Sequence, residues 1–171
     1  AHWTPYTYVV HYDSNRPDTV PENIQVKGSM SDTTHTYDTD KILSADGYSI
    51  DGYEFAGGSL EPIKDAFQFD DTSVVDFENG QKVKNLTTTN NATVTLYARW
   101  KIIKYNLTFI MNGARMENAY VRGGEIQDVD DRVGYTYDKV QDYYTVESED
   151  IEVGEPLPKN GDVFKGWRQD K

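Results

Sequence analysis

Cysteine is missing from all 171 residues. That excludes disulfide cross-links, thiolate metal centres and a cysteine nucleophile together. Long apolar runs are missing as well. No stretch approaches the roughly 18 apolar residues that a membrane-spanning helix needs, and the first residues do not form a signal peptide. The expectation is a chain without membrane insertion. Basic residues are scarce, with 17 Lys and Arg against 29 Asp and Glu and a formal charge of −12. A nucleic-acid partner is disfavoured, because such binding depends on neutralising phosphates with Lys and Arg. A strongly acidic surface points to solubility and mutual repulsion, not to a fold or an activity.

Catalytic signatures are lacking too. No Gly-x-Ser-x-Gly elbow occurs, and no glycine-rich loop precedes a helix as phosphate binding requires. The three histidines, His2, His11 and His35, lack the paired spacing of a zinc site. An EF-hand loop wants oxygen ligands at its first, third and fifth positions. From Asp38 and Asp40 the third ligand is Ile42, and from Asp128 and Asp130 it is Arg132, so both acidic clusters fail. No catalytic residue, metal or cofactor is expected.

What the chain does have is aromatic residues, 13% of the total with 13 tyrosines, beside a hydrophobic share of only 37%. Disordered chains are poor in aromatics, so this mixture points to small β-rich modules with thin cores and many turns. It also has an internal repeat. At an offset of 97, Ala1 falls on Ala98, Trp3 on Trp100, Tyr8 on Tyr105 and Asn15 on Asn112 without a gap. Tyr8, Val10 and Tyr12 alternate as one buried face of a strand would, and Leu107 and Phe109 repeat that alternation. Further on, Gly52, Phe55 and Gly57 align with Gly161, Phe164 and Gly166 at an offset of 109. The longer offset places an insertion in a loop or hairpin of the second copy.

Two tandem domains follow. Residues 1–5 are the tail of a preceding repeat or a linker, 6–100 the first domain, 101–104 a linker, and 105–171 a second, divergent domain lacking its closing strand. In the first, strands are expected at Tyr6–Asp13, His35–Asp38, Tyr53–Phe55, Val74–Phe77 and Val94–Trp100, with turns at Asp51-Gly52 and Asn79-Gly80. Leu60, Ile63 and Phe67 are spaced like one face of a short helix with Ser59 as its cap, and Asp40–Ser44 suggests a helical turn. The expected class is therefore α+β, mostly β.

Four stretches carry a family resemblance: "YTYVVHYDSN", "GSMSDTTHTYD", "GYEFAGG" and the closing "NLTTTNNATVTLYARW", joined in the second copy by "GEPLPKNGDVFKGWRQD". In this order they resemble the internalin-type B-repeat, or Listeria–Bacteroides repeat. The first copy departs from it by carrying Gly57-Gly58 where the family has Gly-Trp. The resemblance implies two small β-grasp-like (ubiquitin-like) domains on a secreted, cell-wall-anchored bacterial surface protein. It also implies a non-catalytic stalk or adhesin role, as a monomer within a longer array.

Two further motifs have plainer readings. "LPKNG" at Leu157–Gly161 has the outline of a sortase signal but lacks the apolar segment and basic tail, and it aligns with a turn. The Asn-x-Thr triplets at Asn85, Asn91 and Asn106 are glycosylation acceptors only in a eukaryotic secretory pathway. The alternative function is recognition of a host glycan or protein through the second domain. Its candidate contact patch is Tyr135, Tyr137, Tyr143 and Tyr144, since exposed tyrosines stack on sugars and form interface hot spots. Cross-strand packing in a hairpin is the competing role for the same four residues.

Overall fold

The computed structural model describes residues 1–67, 75–104, 108–110, 136–138, 145–147 and 161–168. Two compact units divide the chain, Ala1–Ile103 and Lys104–Lys171. In the first unit, β1 (Thr7–Asp13) and β8 (Thr93–Ile102) lie side by side at the centre of a four-stranded sheet. They run parallel, with Val9 opposite Thr93 and Asp13 opposite Tyr97. β3 (Thr33–Thr36) pairs antiparallel with the outer side of β1, and β6 (Tyr53–Ser59) pairs antiparallel with the outer side of β8. Two short ribbons complete the unit: β2 (Lys27–Gly28) with β5 (Tyr48–Ser49), and β4 (Lys41–Ile42) with β7 (Lys82–Val83).

The alternation along β1 explains the core. Tyr8, Val10 and Tyr12 are buried and meet Leu43, Val83 and Leu96, with Met30, Tyr48, Phe77 and Leu86 packed against them. Each fully buried aliphatic side chain here stabilises the fold by about 1.5–3 kcal/mol. Toward the end of β8, Trp100 and Ile102 are each 2% exposed, and Tyr53 opposite Ile102 is 6% exposed.

Among the described residues there is no helix, so the fold is all-β, and the expected α+β, β-grasp-like class is corrected. The physical reason lies in the stretch expected to be helical. Ser59 ends β6, and the Ile63 carbonyl is taken by the Asn15 side-chain amide at 2.8 Å and by Arg99 at 2.7 Å. The Lys64 carbonyl accepts from the Asp18 backbone N–H, and Phe67 bridges to Lys101. Tertiary partners have claimed the carbonyls that a helical turn needs, so the apolar spacing of Leu60, Ile63 and Phe67 is not enough. Within the expected turn at Asp40–Ser44, Lys41 and Ile42 form β4, and the next residue, Leu43, donates its N–H to the Gln81 carbonyl.

Smaller shifts follow the same logic. The strand expected at His35–Asp38 lies at Thr33–Thr36 and ends where Asp38 takes a positive φ of 60°. Of the strand expected at Val74–Phe77, Phe77 forms a single bridge to Gly58, and Val74 lies outside the described residues. Lys101 and Ile102, assigned to a linker from sequence, are the last two residues of β8. In the second unit, β9 (Thr108–Ile110) pairs antiparallel with β10 (Thr136–Asp138).

Candidate functional site

The residues that recur between the two copies are the natural place to look for a site. In the first unit Tyr8, Tyr12, Asn15 and Trp100 each have a partner that holds the fold. The Tyr8 hydroxyl accepts from the Leu86 N–H at 3.3 Å, and its ring stacks on His35 with centroids 5.3 Å apart. Tyr12 accepts from the Ser44 N–H at 3.0 Å and shares a 3.0 Å hydrogen bond with the Thr33 hydroxyl. Asn15 is 1% exposed, and its amide donates to the Ile63 and Ala98 carbonyls. Trp100 donates its indole N–H to the Ser14 carbonyl at 2.8 Å and meets Phe55 edge-on at 5.8 Å. These polar tips fasten irregular segments to the sheet, as buried tyrosine and tryptophan require.

One arrangement has the outline of a nucleophile beside a base. His35 Nε2 lies 3.0 Å from the Thr33 hydroxyl. His35 is only 1% exposed, however, and its Nδ1 has no hydrogen-bond partner. A working dyad needs the base held by a third group, and among the described residues none holds Nδ1. Burial, with Lys41 adding to it, holds the imidazole below its ordinary pKa, which keeps it neutral. Arg99, 2% exposed, is pulled down by burial as well, while the Asp65 and Asp76 carboxylates push it back up. Its guanidinium lies 5.9 Å from the centroid of the Phe67 ring. Sequence reasoning missed the burial of His35 and Arg99. For Asn15 the signal was its recurrence as Asn112.

A cleft opens where the first copy has glycine in place of the second copy's Trp167. Gly58, Phe55, Phe77, Leu96 and Tyr12 line it, with Glu78 at its rim. It encloses about 30 Å³, space for roughly two water molecules at ~10–15 Å³ each.

The tyrosine patch expected from sequence falls mostly outside the description. Tyr137 stands in β10 directly opposite Phe109. Tyr135, Tyr143 and Tyr144 lie outside the described residues. Among the described residues no group of three or more His, Asp or Glu could hold a metal ion, and no helix is long and apolar enough to cross a membrane.

Comparison with known proteins adds one relative. No family model and no solved structure matches the chain. A protein of Evansella cellulosilytica named "Putative Gly-rich membrane protein" is 27% identical over 175 residues, covering 100% of this chain and 15% of that protein. The chain therefore spans a small fraction of the length of this relative.

Proposed function

We propose that the chain is a non-catalytic, tandem-repeat stalk region of a bacterial cell-surface protein, of the internalin B-repeat kind. The observation that carries this reading is the parallel pairing of β1 with β8. Because the strand that enters the first unit and the strand that leaves it run the same way, the chain enters at one end of the sheet and exits at the other. From the register, Thr7 is level with Asn91, and Ile102 lies eleven residues further along β8. At ~3.3 Å per residue the unit advances the chain by roughly 36 Å. Tension between the ends loads the β1–β8 hydrogen bonds together in shear instead of opening them one by one.

Other observations agree with this reading. Tyr8, Tyr12, Asn15 and Trp100 are occupied in holding the sheet to its loops. The acidic surface keeps neighbouring copies apart. A cell-envelope location fits the bacterial relative that is named as a membrane protein. The test is to delete Ala1–Ile103 from the parent protein displayed on cells. Reach above the surface should fall by tens of ångströms with attachment specificity retained. Loss of attachment at unchanged reach would overturn the proposal.

A further inference from the structure

An asparagine followed by glycine has a reaction open to it that other asparagines resist. The backbone nitrogen of the next residue can add to the side-chain amide carbon, and a glycine leaves that nitrogen uncrowded because it has no Cβ. Among the described asparagines, Asn79 is the one followed by glycine. Asn85 and Asn91, in the same unit, precede Leu86 and Ala92.

The fold sets this pair at the tip of a turn. The Gln81 N–H donates to the Glu78 carbonyl at 3.1 Å, and the Gln81 side chain accepts from the Glu78 N–H at 2.8 Å. The turn is thus closed by its two ends, with Asn79 exposed between them. Gly80 has a φ of 66°, and nothing lies within 4 Å of where its Cβ would stand. One bond does reach Asn79: its Oδ1 accepts from the Asp46 N–H at 2.8 Å. That donor polarises the amide and stabilises the oxyanion formed when a nitrogen adds to Cγ, and it leaves Nδ2 as the departing group.

The same bond makes Asn79 matter to the core. The Asp46 carboxylate accepts from the Tyr48 N–H at 2.9 Å, and the Tyr48 hydroxyl donates to the Tyr12 carbonyl at 2.9 Å. At the far end of the turn, the Gln81 carbonyl accepts from the N–H of buried Leu43.

We propose that Asn79-Gly80 is a site of spontaneous covalent modification, at which the folded chain converts Asn79 to aspartate and isoaspartate through a cyclic imide. The Gly80 nitrogen bonds to Asn79 Cγ and the Cγ–Nδ2 bond breaks. The Gly80 proton passes through solvent to the departing nitrogen, which leaves as ammonia. Water then adds to one of the two imide carbonyls. Cleavage between Cγ and the Gly80 nitrogen yields aspartate; cleavage at the main-chain carbonyl yields isoaspartate. Nothing is oxidised or reduced, and water is the one co-reactant. In isoaspartate the backbone runs through Cγ and is one carbon longer. The oxygen that held Asp46 becomes a main-chain carbonyl, so the turn that anchors Asp46 and Leu43 loosens. This site is independent of the stalk reading.

The test is to hold the full 171-residue protein in native buffer at mildly alkaline pH and map its peptides by mass spectrometry over time. The peptide containing Asn79 should convert to two chromatographically distinct products, with Asn85, Asn90 and Asn91 lagging several-fold. Gly80→Ala should convert at least about tenfold more slowly, because a Cβ crowds the attacking nitrogen. The isoaspartate form should unfold at a lower urea midpoint than Asn79→Asp, which carries the new charge on a backbone of ordinary length. Conversion only after unfolding in urea, equal rates at Asn85, Asn90 and Asn91, an unchanged rate in Gly80→Ala, or equal midpoints for the isoaspartate form and Asn79→Asp would each overturn the proposal.

Discussion

Asn15 and Ala98 stand 83 residues apart in the chain, yet the Asn15 side-chain amide donates a 2.9 Å hydrogen bond to the Ala98 carbonyl. The same amide donates to Ile63, so one buried side chain ties the end of β1, the middle of β8 and the irregular segment after β6. Its backbone sits at a φ of 42°, a conformation that asparagine tolerates better than most residues, and its N–H donates to the Asp13 carboxylate.

Replacing this residue is the first prediction. Asn15→Ala removes both amide donors and places a Cβ-bearing residue without a local hydrogen bond at positive φ. The expected loss is about 2–4 kcal/mol, measured as a lower urea midpoint at unchanged slope. Asn15→Gly relieves the backbone and should recover about 1 kcal/mol of that loss. Equal stability of all three proteins would show that the amide bonds contribute nothing.

Two glycines make a contrasting pair. A Cβ at Gly57 would lie 2.4 Å from the Phe77 carbonyl oxygen, at a register shift in β6 where φ is 144°. At Gly80, with φ of 66°, nothing lies within 4 Å. Gly57→Ala should therefore cost about 3 kcal/mol or more, from overlap and strain together. Gly80→Ala should cost about 1 kcal/mol, from backbone conformation alone. Comparable losses in thermal melts of the two variants would contradict this placement of β6 against Phe77.

His35 gives stability a pH dependence with a definite sign. Burial and Lys41 lower its pKa in the folded state, while the unfolded chain takes up the proton near the ordinary value of 6.5. The unfolded state then binds more protons as pH falls below that value, so folding stability drops. The contribution is fully present above about pH 6.5 and is lost progressively as pH falls from there toward the lower folded pKa. His35→Phe keeps a ring against Tyr8 and removes the titration. Urea midpoints of the parent and variant should diverge with pH between about 8 and 5, the parent losing more on acidification. Parallel pH profiles would refute the assignment.

Trp100 offers a milder test. Trp100→Phe keeps most of the ring area against Phe55 but loses the indole hydrogen bond to the Ser14 carbonyl. The cost should be about 1–3 kcal/mol in equilibrium unfolding, for the lost bond and the part-buried carbonyl left without it. A neutral effect would mean that the Ser14 carbonyl finds another donor.

The sheet was legible in the sequence where a strand keeps one face buried. The alternation of Tyr8, Val10 and Tyr12 located β1, and that of Leu96, Ala98 and Trp100 located β8. The segment from Ser59 to Phe67 was misread because helical spacing says nothing about who takes the backbone carbonyls. Asn15 and Arg99, from distant parts of the chain, take that of Ile63. The short ribbons β2–β5 and β4–β7 are two residues per strand, too brief to leave a period. His35 looked like an ordinary strand histidine, since its burial depends on Tyr8 stacking across the β1–β3 register.

Single-molecule pulling on the chain by its two ends tests the central claim most directly. The account predicts two separate unfolding steps. One releases on the order of 300 Å for the 103 residues of Ala1–Ile103, and the other on the order of 200 Å for Lys104–Lys171. The longer step should need the higher force, because β1 and β8 are loaded in shear. A single step, or release of Ala1–Ile103 at the low force of strand peeling, would contradict a load-bearing tandem repeat.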